Sequence, residues 1–280
     1  MSVNEDNRLI TRELLHIQED GESVALATII KASGSVPRHC GTKMLIYPDS
    51  RTTGTIGGGE MEARVLDEAL KILENGGPRV IEYSLVDPNK GDPGVCGGLV
   101  EIYIEPYHPP ASVLVIGCGH VGKAVVNLAD WLGYVVAVND DREELVVSEE
   151  VPGADYYLPG SVEDALEQFK INQLTYIVVV TRNVSVDRQV LPPLLETPAP
   201  YIGIIGSRRR WEETKKLLRV DGLTEEEIRR FHSPVGLDLN AETPEEIAAS
   251  IMAEVIMVRR GGTGRPLAAI HSRSNQPVLA

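Results

Sequence analysis

Apolar side chains recur along this chain with two different spacings, and the spacing changes near its middle. Leu9, Ile10, Leu14, Leu15 and Ile17 fall on one helical stripe and predict a helix over 4–20. The run SVALATIIKA (23–32) reads as a strand, and SGSVPR (33–38) as a loop by composition. TKMLIY (42–47) predicts a second strand, and TTGTI (52–56) a short third one that runs into Gly57, Gly58 and Gly59. Met61, Val65, Leu66, Ala69, Ile72 and Leu73 then repeat at three and four, which predicts an amphipathic helix over 60–75. Asn75-Gly76-Gly77-Pro78 is its stop signal. Strands follow at 79–85 and 99–105, separated by the polar loop DPNKGDPGV and by Cys96-Gly97-Gly98. This half reads as α+β.

EPYHPPAS (105–112) carries three prolines in eight residues and reads as a linker, because proline cannot continue a sheet. The domain boundary is expected near 108–111, giving a first domain over 1–108, a second over 112–260 and a tail over 261–280. The second half alternates strand and helix. Strands are expected at 112–117, 134–140, 154–158, 175–180 and 201–206, and helices at 119–132, 161–170, about 185–196 and 207–219. Val/Ile-rich strands in that rhythm predict an α/β domain with a Rossmann-like parallel sheet of about five strands, covered on both faces. Thr243-Pro244-Glu245-Glu246 opens a last amphipathic helix with a capping box and a proline at the first helical position.

Composition narrows the function classes. The 280 residues carry a net charge of −14, which speaks against nucleic acid as a partner, since phosphate backbones need a basic surface. No apolar run reaches the ~20 residues of a membrane-spanning helix. The acidic, polar start MSVNEDNRLITRELL is unlike a signal peptide. Three cysteines, Cys40, Cys96 and Cys118, with no CxxC pair, fit a reducing cytoplasm and not a disulfide framework or a structural zinc site.

Several constellations could carry chemistry. Gly117-Cys118-Gly119-His120-Val121-Gly122 is G-x-G-x-x-G between a predicted strand and helix. The first glycine permits a tight turn, the second lets backbone approach a diphosphate, and the third lets helix and sheet pack closely. Asp140 ends the next strand, where an acid would meet ribose hydroxyls, so a mononucleotide or dinucleotide such as NAD(P) is one expectation. Cys118 sits where a helix N-terminus can activate a thiol, against the alternative of an apolar filler under the loop. The glycines after Cys96 leave its sulfur accessible, and a soft thiolate suits molybdenum, copper, zinc or sulfur transfer, against the alternative of a structural cysteine. Ser35 and Arg38 offer a hydroxyl and a guanidinium on one loop, a cradle for an anion, against the alternative of a plain turn with a solvated arginine. Gly57–Gly59 before a helix is a second candidate anion site, although Glu60 and Glu62 compete there. Arg208, Arg209 and Arg210, after Ser207, oppose a helix dipole, which is costly unless an anion visits or acids pair with them.

Taken together, SGSVPRHCGTKMLI, GTIGGGEMEARVLDEA, VCGGLVEIYIEP, VLVIGCGHVGKAV, VNDDRE, YIGIIGSRRR and HSPVGLDLNAETPEEIAASIMAEVI resemble the XdhC/CoxI family, the accessory proteins of xanthine dehydrogenase and related molybdenum hydroxylases. The resemblance covers most of residues 24–260. It implies an N-terminal XdhC/CoxI domain and a C-terminal Rossmann domain. It also implies a cofactor chaperone more than a catalyst, one that binds molybdenum cofactor (molybdopterin), supports its sulfuration and delivers it to an apo-hydroxylase. A cysteine desulfurase is a further implied partner, and homo-oligomer formation is left open. Cys96 matches the cysteine of the family's C-G-G segment and is the expected contact to the cofactor and, through it, to molybdenum. Its neighbours in that site are expected to be Gly97, Gly98, Gly57, Gly58, Gly59, Ser35 and Arg38. Gly117, Gly119, His120, Gly122, Asp140, Ser207 and Arg208 are the expected contacts of the Rossmann domain. The chain departs from the family pattern at Glu60, where a cysteine often follows the three glycines, and at Thr181-Arg182-Asn183, where many members have Thr-His.

Overall fold

The computed structural model describes residues 3–19, 21–84 and 98–271. The chain divides into two compact units, Met1–Pro109 and Pro110–Ala280.

The first unit is a five-stranded antiparallel sheet between two helices. In chain order it contains α1 (Val3–Glu19), β1 (Val24–Ser33), β2 (Lys43–Ile46), β3 (Thr52–Gly54), α2 (Gly59–Asn75), β4 (Arg79–Ser84) and β5 (Leu99–Tyr107), with strand order β3-β2-β1-β5-β4. The period-2 alternation of strands assigns the faces. Ala25, Ala27 and Ile29 of β1 pack with Met61, Val65, Ala69 and Ile72 of α2. Val24 and Leu26 point the other way, against Ile10 and Ile17 of α1. Burying a side chain such as Val65 or Ile72 completely contributes roughly 1.5–3 kcal/mol relative to leaving it in water, which is what holds α2 on the sheet. β5 continues through Pro106 to Tyr107, past the start of the expected linker. Proline is tolerated there because β4 ends at the Arg79–Ile104 pair, so at Pro106 only β1 is alongside.

The second unit is a parallel sheet of six strands. It contains β6 (Ser112–Ile116), α3 (His120–Trp131), β7 (Val135–Asp140), β8 (Tyr156–Pro159), α4 (Val162–Gln168), β9 (Thr175–Val179), α5 (Val184–Leu194), β10 (Tyr201–Ile204), α6 (Arg208–Val220), α7 (Glu225–Ile228), β11 (Phe231–His232) and α8 (Pro244–Arg260). The order β11-β10-β9-β6-β7-β8 places the first strand of the unit beside both the second and the fourth. This is the doubly wound order, with its topological switch between β6 and β9. Val113 and Val115 face a core with α3 and α8, while Leu114 and Ile116 face one with α4, α5 and α6. The sixth strand, beyond the expected five, is only two residues long, too short for a periodic signal. A short helix, α9 (Leu267–His271), forms within the segment expected to be tail.

Candidate functional site

The SGSVPR loop is the hub of the first unit. A methyl group at Gly98 would overlap the Ser35 carbonyl oxygen and stand 2.6 Å from Val36 Cγ1. A methyl at Gly57 would stand 2.7 Å from Pro37 Cγ. Both glycines therefore lie flat against one loop, and this close approach is what their missing side chains permit. The loop thereby meets Gly98 through Ser35 and Val36 and the triple-glycine corner through Pro37; Cys96 and Gly97 lie outside the described residues. Ser35 is exposed and Arg38 half-buried.

The triple-glycine corner already holds an anion, and it belongs to the chain. Glu62 Oε1 accepts from Thr55 Oγ1 at 2.5 Å, from the Gly58 amide at 2.9 Å and from the Ile56 amide at 3.1 Å. The competition expected from the acids at this helix start is thus realised by Glu62, which spends the Gly58 donor, while Gly59 and Glu60 open α2 on the exposed side. Gly58 itself has open space where a side chain would be, but its φ of +85° favours glycine.

In the second unit each glycine of G-x-G-x-x-G has a separate job. Gly117 has φ +115°, and a methyl there would stand 2.7 Å from the Val180 carbonyl oxygen across the switch point. A methyl at Gly122 would overlap the Gly117 carbonyl oxygen. Gly119 caps α3 in extended conformation with nothing within 4 Å of where its Cβ would be, so its backbone is open to approach. His120, the first residue of α3, is exposed. Cys118 is buried beneath the loop, and desolvation, with Asp140 nearby, pushes its thiol up to about 12. It is the apolar filler, and the activated thiol of the alternative expectation does not form.

Asp140 stands at the end of β7 as expected, but its carboxylate is filled. Oδ2 accepts from the Cys118 amide at 2.7 Å and from Arg142 Nη2 at 2.7 Å; Oδ1 accepts from the Arg142 amide at 3.0 Å and from Arg142 Nε at 2.9 Å. Four bonds use the four lone-pair sites of a carboxylate. Next to it, Asp141 accepts two bonds of 2.6 Å from Arg182, and that guanidinium holds the Asp141 carboxyl down at about 2. Arg182, expected to depart from the family pattern, thus pairs with an acid. These groups rim a cavity of about 260 Å³ at the carboxyl ends of the strands, with Ile116, Val162, Val186 and Val190 in its wall.

The arginines after β10 divide. Arg208 and Arg209 are exposed, and Ser207 caps α6 by accepting from the Arg210 amide at 3.2 Å. Arg210 turns inward to Asp187, which is fully buried, with bonds of 2.7 and 3.0 Å, and also binds Thr181. Thr181 Oγ1 in turn donates to Asp187. This lock between β9, α5 and α6 is not legible along the chain, because Asp187 and Arg210 are 23 residues apart. Among the described residues no group of three or more His, Cys, Asp or Glu could hold a metal ion.

Comparison with known proteins assigns the chain. Residues 113–255 match the XdhC Rossmann domain, and residues 17–84 match the XdhC and CoxI family. The chain belongs to the XdhC and CoxI family. This XdhC/CoxI chain is 34% identical over 257 residues to the uncharacterized protein YqeB of Escherichia coli (strain K12), covering 91% of this chain and 47% of that one. It is 33% identical over 159 residues to a Bacillus subtilis (strain 168) protein named as a probable xanthine dehydrogenase subunit, covering 57% of this chain and 46% of that one. The chain thus spans about half the length of these two relatives. It is 22% identical to the molybdenum cofactor insertion chaperone PaoD of Escherichia coli (strain K12), over 92% of this chain and 90% of that one.

Proposed function

We propose that this XdhC/CoxI chain is a maturation factor for a molybdenum hydroxylase of the xanthine dehydrogenase type. In this reading it binds molybdenum cofactor in its first unit, assists sulfuration of the cofactor and delivers it to the apo-hydroxylase. The observation that carries the reading is the single loop, Ser33–Arg38, packed against both Gly57 and Gly98. In this reading the Ser35 hydroxyl, the Arg38 guanidinium and the glycine backbone act together with Cys96. The cargo has a phosphate end and a molybdenum end, and such a cluster suits it with anion-binding groups and a soft thiolate. The relatives named as an insertion chaperone and as part of a probable xanthine dehydrogenase support the same role. The reading has the chain act in the cytoplasm, with a cysteine desulfurase as sulfur source.

The test uses purified full-length chain incubated with molybdenum cofactor released from a denatured molybdoenzyme. After gel filtration, retained molybdenum and oxidised pterin are measured. Wild type is expected to retain both, and Cys96→Ser and Arg38→Ala to retain less. No retention by wild type, and no gain of activity when the mixture meets the apo-hydroxylase, overturns the reading. A nicotinamide-dependent oxidoreductase is the second reading, favoured by the doubly wound strand order and the open backbone at Gly119. Its test is turnover of NADH or NADPH with candidate carbonyl acceptors, and absence of turnover retires it.

A further inference from the structure

The cavity in the second unit has a chemistry of its own, independent of the maturation role. It sits at the carboxyl ends of the strands beside the topological switch, where doubly wound sheets hold nucleotides. Its wall of Ile116, Val162, Val186 and Val190 offers apolar contact to a flat base, and Arg142 and Arg182 stand at its rim. A nucleotide with free ribose hydroxyls is normally held there by an unspent carboxylate. Asp140 cannot do this, since Arg142 and the Cys118 amide fill all four of its acceptor sites. What the rim offers instead is donors. Arg142 and Arg182 each spend two of their five side-chain N–H groups on the neighbouring aspartate, leaving three apiece. Both guanidiniums are held in fixed planes by two-point pairing, which lowers the cost of presenting them to a ligand.

We propose that this cavity binds a nucleotide whose ribose carries a phosphate, at the 2′ or 3′ position, in preference to one with free ribose hydroxyls. The ribose phosphate accepts from Arg142 and Arg182, and the base lies against the valines. Asp140 acts as a positioning residue that orients Arg142. The open backbone at Gly119 lies on the loop whose Cys118 amide Asp140 holds, so the same carboxylate ties the glycine corner to the rim. Glu163 also lines the cavity, and its negative charge opposes a phosphate, so Glu163→Gln should tighten binding of the phosphorylated ligand.

The experiment is calorimetric titration of the full chain with three probes: 5′-ADP, 2′,5′-ADP and 3′,5′-ADP. One of the two bisphosphates is expected to bind about tenfold tighter than 5′-ADP, the worth of one charge-assisted hydrogen bond. Which of them wins separates an NADP-type from a coenzyme-A-type ligand. Arg182→Ala, a change at an exposed ion pair, is expected to weaken the preferred bisphosphate far more than 5′-ADP and so to remove most of the preference. Arg142→Ala, where it folds, frees Asp140 for ribose hydroxyls and should reverse the preference. Equal or tighter binding of 5′-ADP by wild type, failure of all three probes to bind at millimolar concentration, or a preference untouched by Arg182→Ala overturns the proposal.

Discussion

Both units place a glycine-rich corner before a helix, and both corners contain a carboxylate of the chain itself. In the first, Glu62 from the following helix takes two backbone amides and a threonine hydroxyl. In the second, Asp140 from a neighbouring strand takes one amide of the corner and is neutralised by Arg142. The first corner is capped by its own acid and contributes shape to the loop cluster around Ser35 and Gly98. The second is braced by an acid whose charge is cancelled, so the net effect beside it is an arginine facing a cavity. Glycine at a helix start is therefore not by itself an anion site; what matters is whether its amides are already spent.

That contrast can be broken experimentally. The largest effect is expected from Arg142→Ala, which leaves Asp140 buried with half its partners gone and should cost about 3–5 kcal/mol in urea unfolding. Gly122→Ala comes next, at about 3 kcal/mol or more, because its methyl meets backbone that cannot yield. Gly119→Ala, on the same corner but in open space, should stay within about 0.5 kcal/mol. Equal costs for the two would show that the corner is not packed as described. In the first unit, Glu62→Ala should cost about 1–2 kcal/mol, the worth of a lost helix cap, and therefore less than Arg142→Ala. A similar cost for both would erase the distinction between a capping acid and a braced one.

Two smaller effects sharpen the comparison. Iodoacetamide near pH 8.5, with peptide mapping, should modify exposed Cys40 and leave Cys118 untouched until the chain unfolds, since burial keeps that thiol protonated to about pH 12. The Asp141–Arg182 pair gives the smallest signal. The folded-state pKa of Asp141 is about 2, below its ordinary value of 3.8, so its contribution is present above that unfolded value and fades as pH falls through 2. The stability difference between wild type and Arg182→Ala should stay under about 1 kcal/mol above pH 5, because the pair is exposed, and vanish only below about pH 2.

Local signals are legible because they depend on near neighbours. The helix expected at 60–75 is observed at Gly59–Asn75, and the one expected at 207–219 at Arg208–Val220. Both carry strong three-and-four spacing with marked ends. β11 leaves no such trace because two residues hold no period, and β5 runs past its expected end because Pro106 is tolerated where a neighbouring strand stops. At the site, Asp140 stands in the expected place without the expected freedom. Arg142 is two positions away, and the run Asn139-Asp140-Asp141-Arg142 hints at the pairing. The Cys118 amide, 22 residues back, leaves no hint of it.

The sequence by itself determined the longer elements, their alternation, the glycine corner of the Rossmann unit and the family, because each rests on spacing along the chain. Only the tertiary structure decided which polar groups are spent. It turned Asp140 toward Arg142 and Arg210 toward Asp187, closed Glu62 over the triple glycine, and laid Gly57 and Gly98 against one loop. The reason is that a buried hydrogen bond is satisfied by whichever partner the fold brings within reach, and strand order, not sequence distance, sets that reach.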